Sequence, residues 1–159
     1  LALFAPVTQA RSIFLHDIVL HQQIHGPFLF TVSGGIAAIV FFIGYMIVLN
    51  EYPFSIIKAK CDVIEGPYME YAAKYRAVVV ITRGFFMFVL GAIFSVLFIG
   101  VPPTIMSWGI LINIAVALIF VFMMGIFSAF SPVFTNRQLL PTILGATLLG
   151  ILSIVLGLL

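Results

Sequence analysis

Four of the chain's five carboxylates, Glu51, Asp62, Glu65 and Glu70, fall between residues 51 and 70. Lys58, Lys60, Lys74 and Arg76 lie among or just after them. Carboxylates gathered this closely could pass a proton from one to the next, or present a charged surface to a partner protein. Asp62 and Glu65 are three apart and would share a face of a helical turn. Glu70 precedes a long apolar run and could act at the mouth of a buried polar path; the plainer role is that of an acid beside a helix N-terminus. Lys58 and Lys60 could pair with Asp62 and Glu65, which would leave a solvated connection whose charges satisfy one another. Arg83 is the single charge inside a run that is otherwise apolar from Ala77 to Ile99. A cation at that depth is costly without a partner, so it either snorkels to the interface or pairs with a loop carboxylate.

Other candidate constellations are weak. His21 and His25 are spaced for one helix face, and His16 and Asp17 are near, but packing explains them better than a metal. Cys61 is the only cysteine, which excludes an internal disulfide and most cysteine-based metal sites. No phosphate-binding glycine loop, nucleophile–base arrangement or cluster ligand set is present.

The elements that must position these residues follow from composition. Hydrophobic residues make up 64% of the 159 and charged residues only 8%, whereas a soluble domain is about a quarter charged. Lipid must therefore cover much of the surface. Four apolar runs, Phe28–Leu49, Ala77–Ile99, Ile105–Ala129 and Leu139–Leu159, reach the roughly 20 residues that cross ~30 Å of hydrocarbon. Helices satisfy their own backbone, so they are the expected spanning element. Gly34, Gly35 and Ala38 would give the first span a flat face for another helix. Residues 12–25 form an amphipathic segment fit for the membrane interface, ended by Gly26-Pro27. Within the spans, polar residues are few beyond Asn113 and scattered Ser and Thr. The fold class is an all-α integral membrane bundle, with about four transmembrane helices and an N-terminal interfacial helix. Residues 1–159 form one membrane domain.

Six of the seven basic residues lie in or beside the connections 50–76 and 131–138, and the opposite connection, 100–104, has none. Basic connections stay in the cytoplasm, so residues 50–76 and 131–138 are expected there, in a multi-pass protein of the cell membrane. The net charge of +2, with no basic patch and interleaved aromatics, argues against a nucleic-acid partner. The chain begins at Leu1 and shows no signal peptide; it is expected to start inside a longer protein.

The order of residues in the acidic connection is more specific than its charge. Pro53-Phe54 is followed by Asp62 nine residues after the proline, Gly66 four further on, and Glu70-Tyr71 four after that. This resembles subunit 1 of respiratory complex I, its bacterial counterpart, and its relatives in membrane-bound [NiFe] hydrogenases. Those proteins carry Pro-Phe-Asp, an acidic run, a Gly and Glu-Tyr in a cytoplasmic loop. Asn50-Glu51 resembles the acidic approach to that motif. Phe134-Thr135-Asn136-Arg137-Gln138-Leu139-Leu140-Pro141 is similar to the Arg- and Gln-containing loop before the family's last helix. The resemblance covers residues 12–159 and corresponds to the family's C-terminal half.

It implies a membrane-anchor subunit that docks a peripheral redox arm and couples electron transfer to proton or sodium pumping. Glu70, Asp62, Glu65, Arg83 and Glu51 would lie on the coupling path. Pro53, Phe54, Gly66, Tyr71, Arg137 and Gln138 would build the loop motif. The chain itself would be non-catalytic and carry no cofactor or metal. Iron–sulfur clusters and a NiFe centre would belong to partner chains: hydrogenase-like large and small subunits, with antiporter-like membrane subunits alongside. The departures refine this. The family's Pro-Phe-Asp is Pro53-Phe54-Ser55 here, the next acidic positions are Lys58 and Lys60, and the position of an acid in quinone-reducing members is Arg83. Lost carboxylates and gained bases favour the hydrogenase type. The alternatives are the quinone-binding membrane subunit of an NADH or ferredoxin dehydrogenase, and a stand-alone transporter.

Overall fold

A computed structural model describes residues 1–49, 53–54, 73–102, 108–131 and 136–158. Among these the regular structure is entirely helical. Two short helices, α1 (Phe4–Ala10) and α2 (Leu15–His25), precede a single 3-10 turn at Phe28–Phe30. Four longer helices follow: α3 (Val32–Val48), α4 (Ala73–Phe94), α5 (Gly109–Phe130) and α6 (Asn136–Leu158). A π-helical segment, Ser95–Ile99, continues α4 to its end.

The stretches Ala77–Ile99, Gly109–Phe130 and Arg137–Leu158 are each long and apolar enough to cross a bilayer. The first expected span is shorter as an α-helix, because its leading residues form the 3-10 turn instead; α3 itself has 17 residues, at the lower limit for crossing. Exposed apolar side chains such as Val78, Ile81, Phe85, Phe122 and Leu148 cover the outside of the long helices, the surface that lipid solvates.

Thr31 starts α3. Its backbone is extended, and its Oγ1 accepts from the Gly34 N–H at 3.0 Å, which satisfies one of the free donors of the first turn. The same hydroxyl donates to the Phe28 carbonyl at 2.8 Å. A Cβ on Gly34 would collide with the Phe28 carbonyl. The glycine face of α3 is therefore covered by the chain's own 3-10 turn, not by another helix as expected. The face toward α6 includes Ser33 and Val40 instead, with Gly150, Ser153 and Gly157 opposite. Small residues let the backbones of α3 and α6 approach closely, as interfaces in lipid require. Ser33 Oγ donates to the Ser153 carbonyl at 2.6 Å, and Ser153 Oγ returns a bond to the Ser33 carbonyl at 2.8 Å.

α4 and α5 form a second antiparallel pair. A Cβ on Gly91 would lie 2.8 Å from the Ala117 Cα, so the two backbones are in near contact there. Aromatic rings join the pairs. Phe41 of α3 meets Phe94 at 5.4 Å between centroids, Phe94 meets Phe120 of α5 at 4.6 Å, and Phe94 stacks on Phe98 at 4.7 Å. These separations are those of favourable aromatic pairs. Described phenylalanines thus occur both in this buried cluster and on the outer, lipid-facing surface.

α6 begins at Asn136, earlier than the apolar run at Leu139 suggests. Arg137 and Gln138, expected in a loop, are in its first turn. Pro141 lies inside the helix and has no N–H to give the Arg137 carbonyl. One residue on, Thr142 Oγ1 donates to the Gln138 carbonyl at 2.7 Å.

Candidate functional site

The acidic connection runs from the end of α3 to the start of α4. Leu49 closes α3, and its carbonyl is among the last four that have no partner within the helix. Arg83, ten residues into α4, donates from Nη2 to that carbonyl at 2.7 Å. The bond is charge-assisted, and the cation sits at the partially negative end of the α3 dipole. The loop carboxylates expected to partner Arg83 lie outside the described residues; the Leu49 carbonyl is one acceptor that the guanidinium has. α3 ends about level with Arg83, so an unbonded helix terminus lies within reach of the guanidinium.

Pro53 and Phe54 follow directly. Both are buried, and Phe54 joins the hydrophobic core that contains Leu49, Met46 and Tyr45. The first two residues of the loop motif are thus anchors that turn the chain back onto the bundle. Glu51, Asp62, Glu65, Gly66, Glu70 and Tyr71 lie outside the described residues. Arg137 and Gln138 are exposed at the start of α6.

His21 and His25 share one face of α2, as their spacing suggests. The rings of His21 and His25 stack with centroids 4.3 Å apart, and His25 Nδ1 lies 3.2 Å from the His21 carbonyl. Among the described residues no group of three or more His, Cys, Asp or Glu side chains could hold a metal ion.

Sequence reasoning missed Gln22. This side chain is only 3% exposed. Its Nε2 reaches the Leu97 carbonyl at 3.0 Å and the Val96 carbonyl at 3.4 Å, and its Oε1 accepts from the Phe28 N–H at 3.4 Å. Gln22 is therefore the cap of a helix end that belongs to another part of the chain. Gly100 admits it: the φ there is +79°, and a Cβ would lie 2.8 Å from the Gln22 Cβ. Its one sequence signal is a long polar side chain within an otherwise packing stretch.

Helices of this length and hydropathy define a multi-pass membrane protein. Residues 1–158 match the NADH dehydrogenase family, and the chain belongs to that family, which comprises subunit 1 of complex I and its counterparts in the membrane. It is 44% identical over 160 residues to an uncharacterized protein of Methanocaldococcus jannaschii, covering all of this chain and 48% of that one. A second protein of the same organism, named "Putative NADH-ubiquinone oxidoreductase", is 31% identical over 114 residues, which is 70% of this chain and 38% of that one. The chain spans about half or less of the length of these relatives.

Proposed function

We propose that the chain is the membrane-anchor subunit of a complex I-like ion-translocating redox assembly of the membrane-bound hydrogenase type. In this reading the acidic connection 50–76 faces the cytoplasm and docks a peripheral redox arm. Protonation changes along Glu51, Asp62, Glu65 and Glu70 couple electron transfer in that arm to proton or sodium movement in antiporter-like membrane neighbours. The chain does no redox chemistry itself; iron–sulfur clusters and a NiFe centre belong to hydrogenase-like large and small subunits.

The observation that carries this reading is Arg83. It holds the place of an acid in the quinone-reducing proteins that the sequence resembles, and its guanidinium binds the Leu49 carbonyl. A fixed cation used to hold a helix end is a poor substitute for a carboxylate that exchanges protons with a quinone site. Ser55, Lys58 and Lys60 support the same direction.

The second reading is a quinone-binding subunit, favoured by the name of the 31%-identical relative. Purifying the native assembly through a tag on this chain separates the two. Co-purification of a [NiFe] hydrogenase-like large subunit, an iron–sulfur subunit and antiporter-like subunits is the expected result. A quinone-reducing preparation without a hydrogenase-like chain favours the second reading. A stable monomer that transports ions unaided would sink both.

A further inference from the structure

Two buried polar atoms, one just after α4 and one in α5, have no partner among the described residues. Ser95 is fully buried and its Oγ makes no hydrogen bond; Asn113 Oδ1 is likewise enclosed and unbonded. The register of the two helices brings these residues to one level. Gly91 and Ala117 are in backbone contact across the interface. Ser95 lies four residues after Gly91, and Asn113 four before Ala117. In an antiparallel pair, one turn from the contact in each helix reaches the same height on the same facing stripes.

The helix also changes form at this point. The π-helical segment begins at Ser95, whose carbonyl accepts from the N–H groups of Gly100 at 3.1 Å and Val101 at 3.4 Å. A π turn is wider than an α turn, and such turns often mark functional positions.

We propose that Ser95 and Asn113 hold one ordered water molecule between α4 and α5. Water fits the chemistry of the pair. The serine hydroxyl both donates and accepts and the amide oxygen accepts, so one water can accept a hydrogen bond from Ser95 Oγ–H and donate one to Asn113 Oδ1. Buried waters occupy polar niches of this kind, with two to four partners. A bare cation fits less well. Neither α4 nor α5 contains a carboxylate, and two neutral oxygens do not offset the loss of a cation's hydration. The site lies about one turn in from the connection that begins at Gly100.

The experiment is a double-mutant cycle on the full chain in its purified membrane assembly, with melting temperature as the readout and an electron cryo-microscopy map fine enough to show ordered water. Ser95→Ala and Asn113→Leu each remove one partner and leave the other stranded. Each is expected to lower the melting temperature, by roughly 2–4 °C per kcal/mol lost. The double variant, apolar at both ends, is expected to recover most of that loss, and the wild-type map to show density between the two side chains. If the atoms are dry orphans, each single variant instead raises the melting temperature and the effects add. That result overturns the proposal, as does a map in which the two side chains bond directly.

Discussion

Arg83 of α4 holds the Leu49 carbonyl at 2.7 Å, so a cation set within one membrane helix closes the C-terminal end of another. This bond ties the end of α3 to α4. Pro53 and Phe54, a few residues on, are buried, and Asp62, Glu65 and Glu70 come later in the sequence.

Removing the guanidinium is expected to loosen this corner. A hydrogen bond to a charged group contributes roughly 1.5–3 kcal/mol. Arg83→Gln should therefore lower the melting temperature of the purified protein measurably. Arg83→Lys keeps the charge but not the planar donor geometry, and should fall between the two. Equal stability of all three would mean that the Leu49 contact contributes nothing.

The Ser33–Ser153 pair makes a second stability prediction. Interhelical hydrogen bonds of this sort average about 0.6 kcal/mol in lipid, with a maximum near 1.7. Ser153→Ala should cost about that much. Ser153→Leu should cost several times more, because its side chain must push α6 away from α3. Unfolding of both variants in mixed micelles would show the difference, and similar losses would argue against close packing at this point.

Topology is testable directly. Single cysteines placed at Lys60 and Gln138 are expected to react with an impermeant thiol reagent from the cytoplasmic side, and one at Thr104 from the outside, in a Cys61→Ser background. Labelling of the Lys60 and Thr104 positions from one side would contradict the proposed arrangement of the spans.

The coupling role of the acidic connection predicts a split between chemistry and pumping. Glu70→Gln keeps size and hydrogen bonding but removes the charge. Hydrogen production with an artificial electron carrier should stay near the wild-type rate, while ion uptake by inverted vesicles should fall at least several-fold. Lys74→Gln should leave both unchanged. A wild-type ratio of uptake to hydrogen in Glu70→Gln would make the connection a structural one.

Much of the helical framework was legible from the sequence, because an uncharged apolar run of twenty residues has few other structures open to it. Helix ends were harder to read. Asn136, Arg137 and Gln138 are polar and read as part of the connection, yet they form the first turn of α6, where polar residues can reach water. The tertiary polar contacts were not legible at all. Ser33 and Ser153 are 120 residues apart, and Gln22 and Val96 are 74 apart; nothing local marks either pair. Asn113 stood out by its polarity, but Ser95 acquires its interest only from the register of α4 against α5. Of the candidate coupling residues, the spacing that suggested Glu70 and Asp62 concerns positions outside the described residues, whereas the placement of Arg83 and Phe54 can be stated in atoms.

Gln22 also bears on the order in which the protein is built. Synthesis delivers the N-terminal part first, so the amide that caps Val96 and Leu97 exists before those carbonyls do. The far end of α4 enters the bilayer towards a donor already made. Without α2 the same carbonyls, among those left over at a helix end, would need another donor. The N-terminal segment thus supplies a hydrogen-bond donor to a helix end made later in the chain.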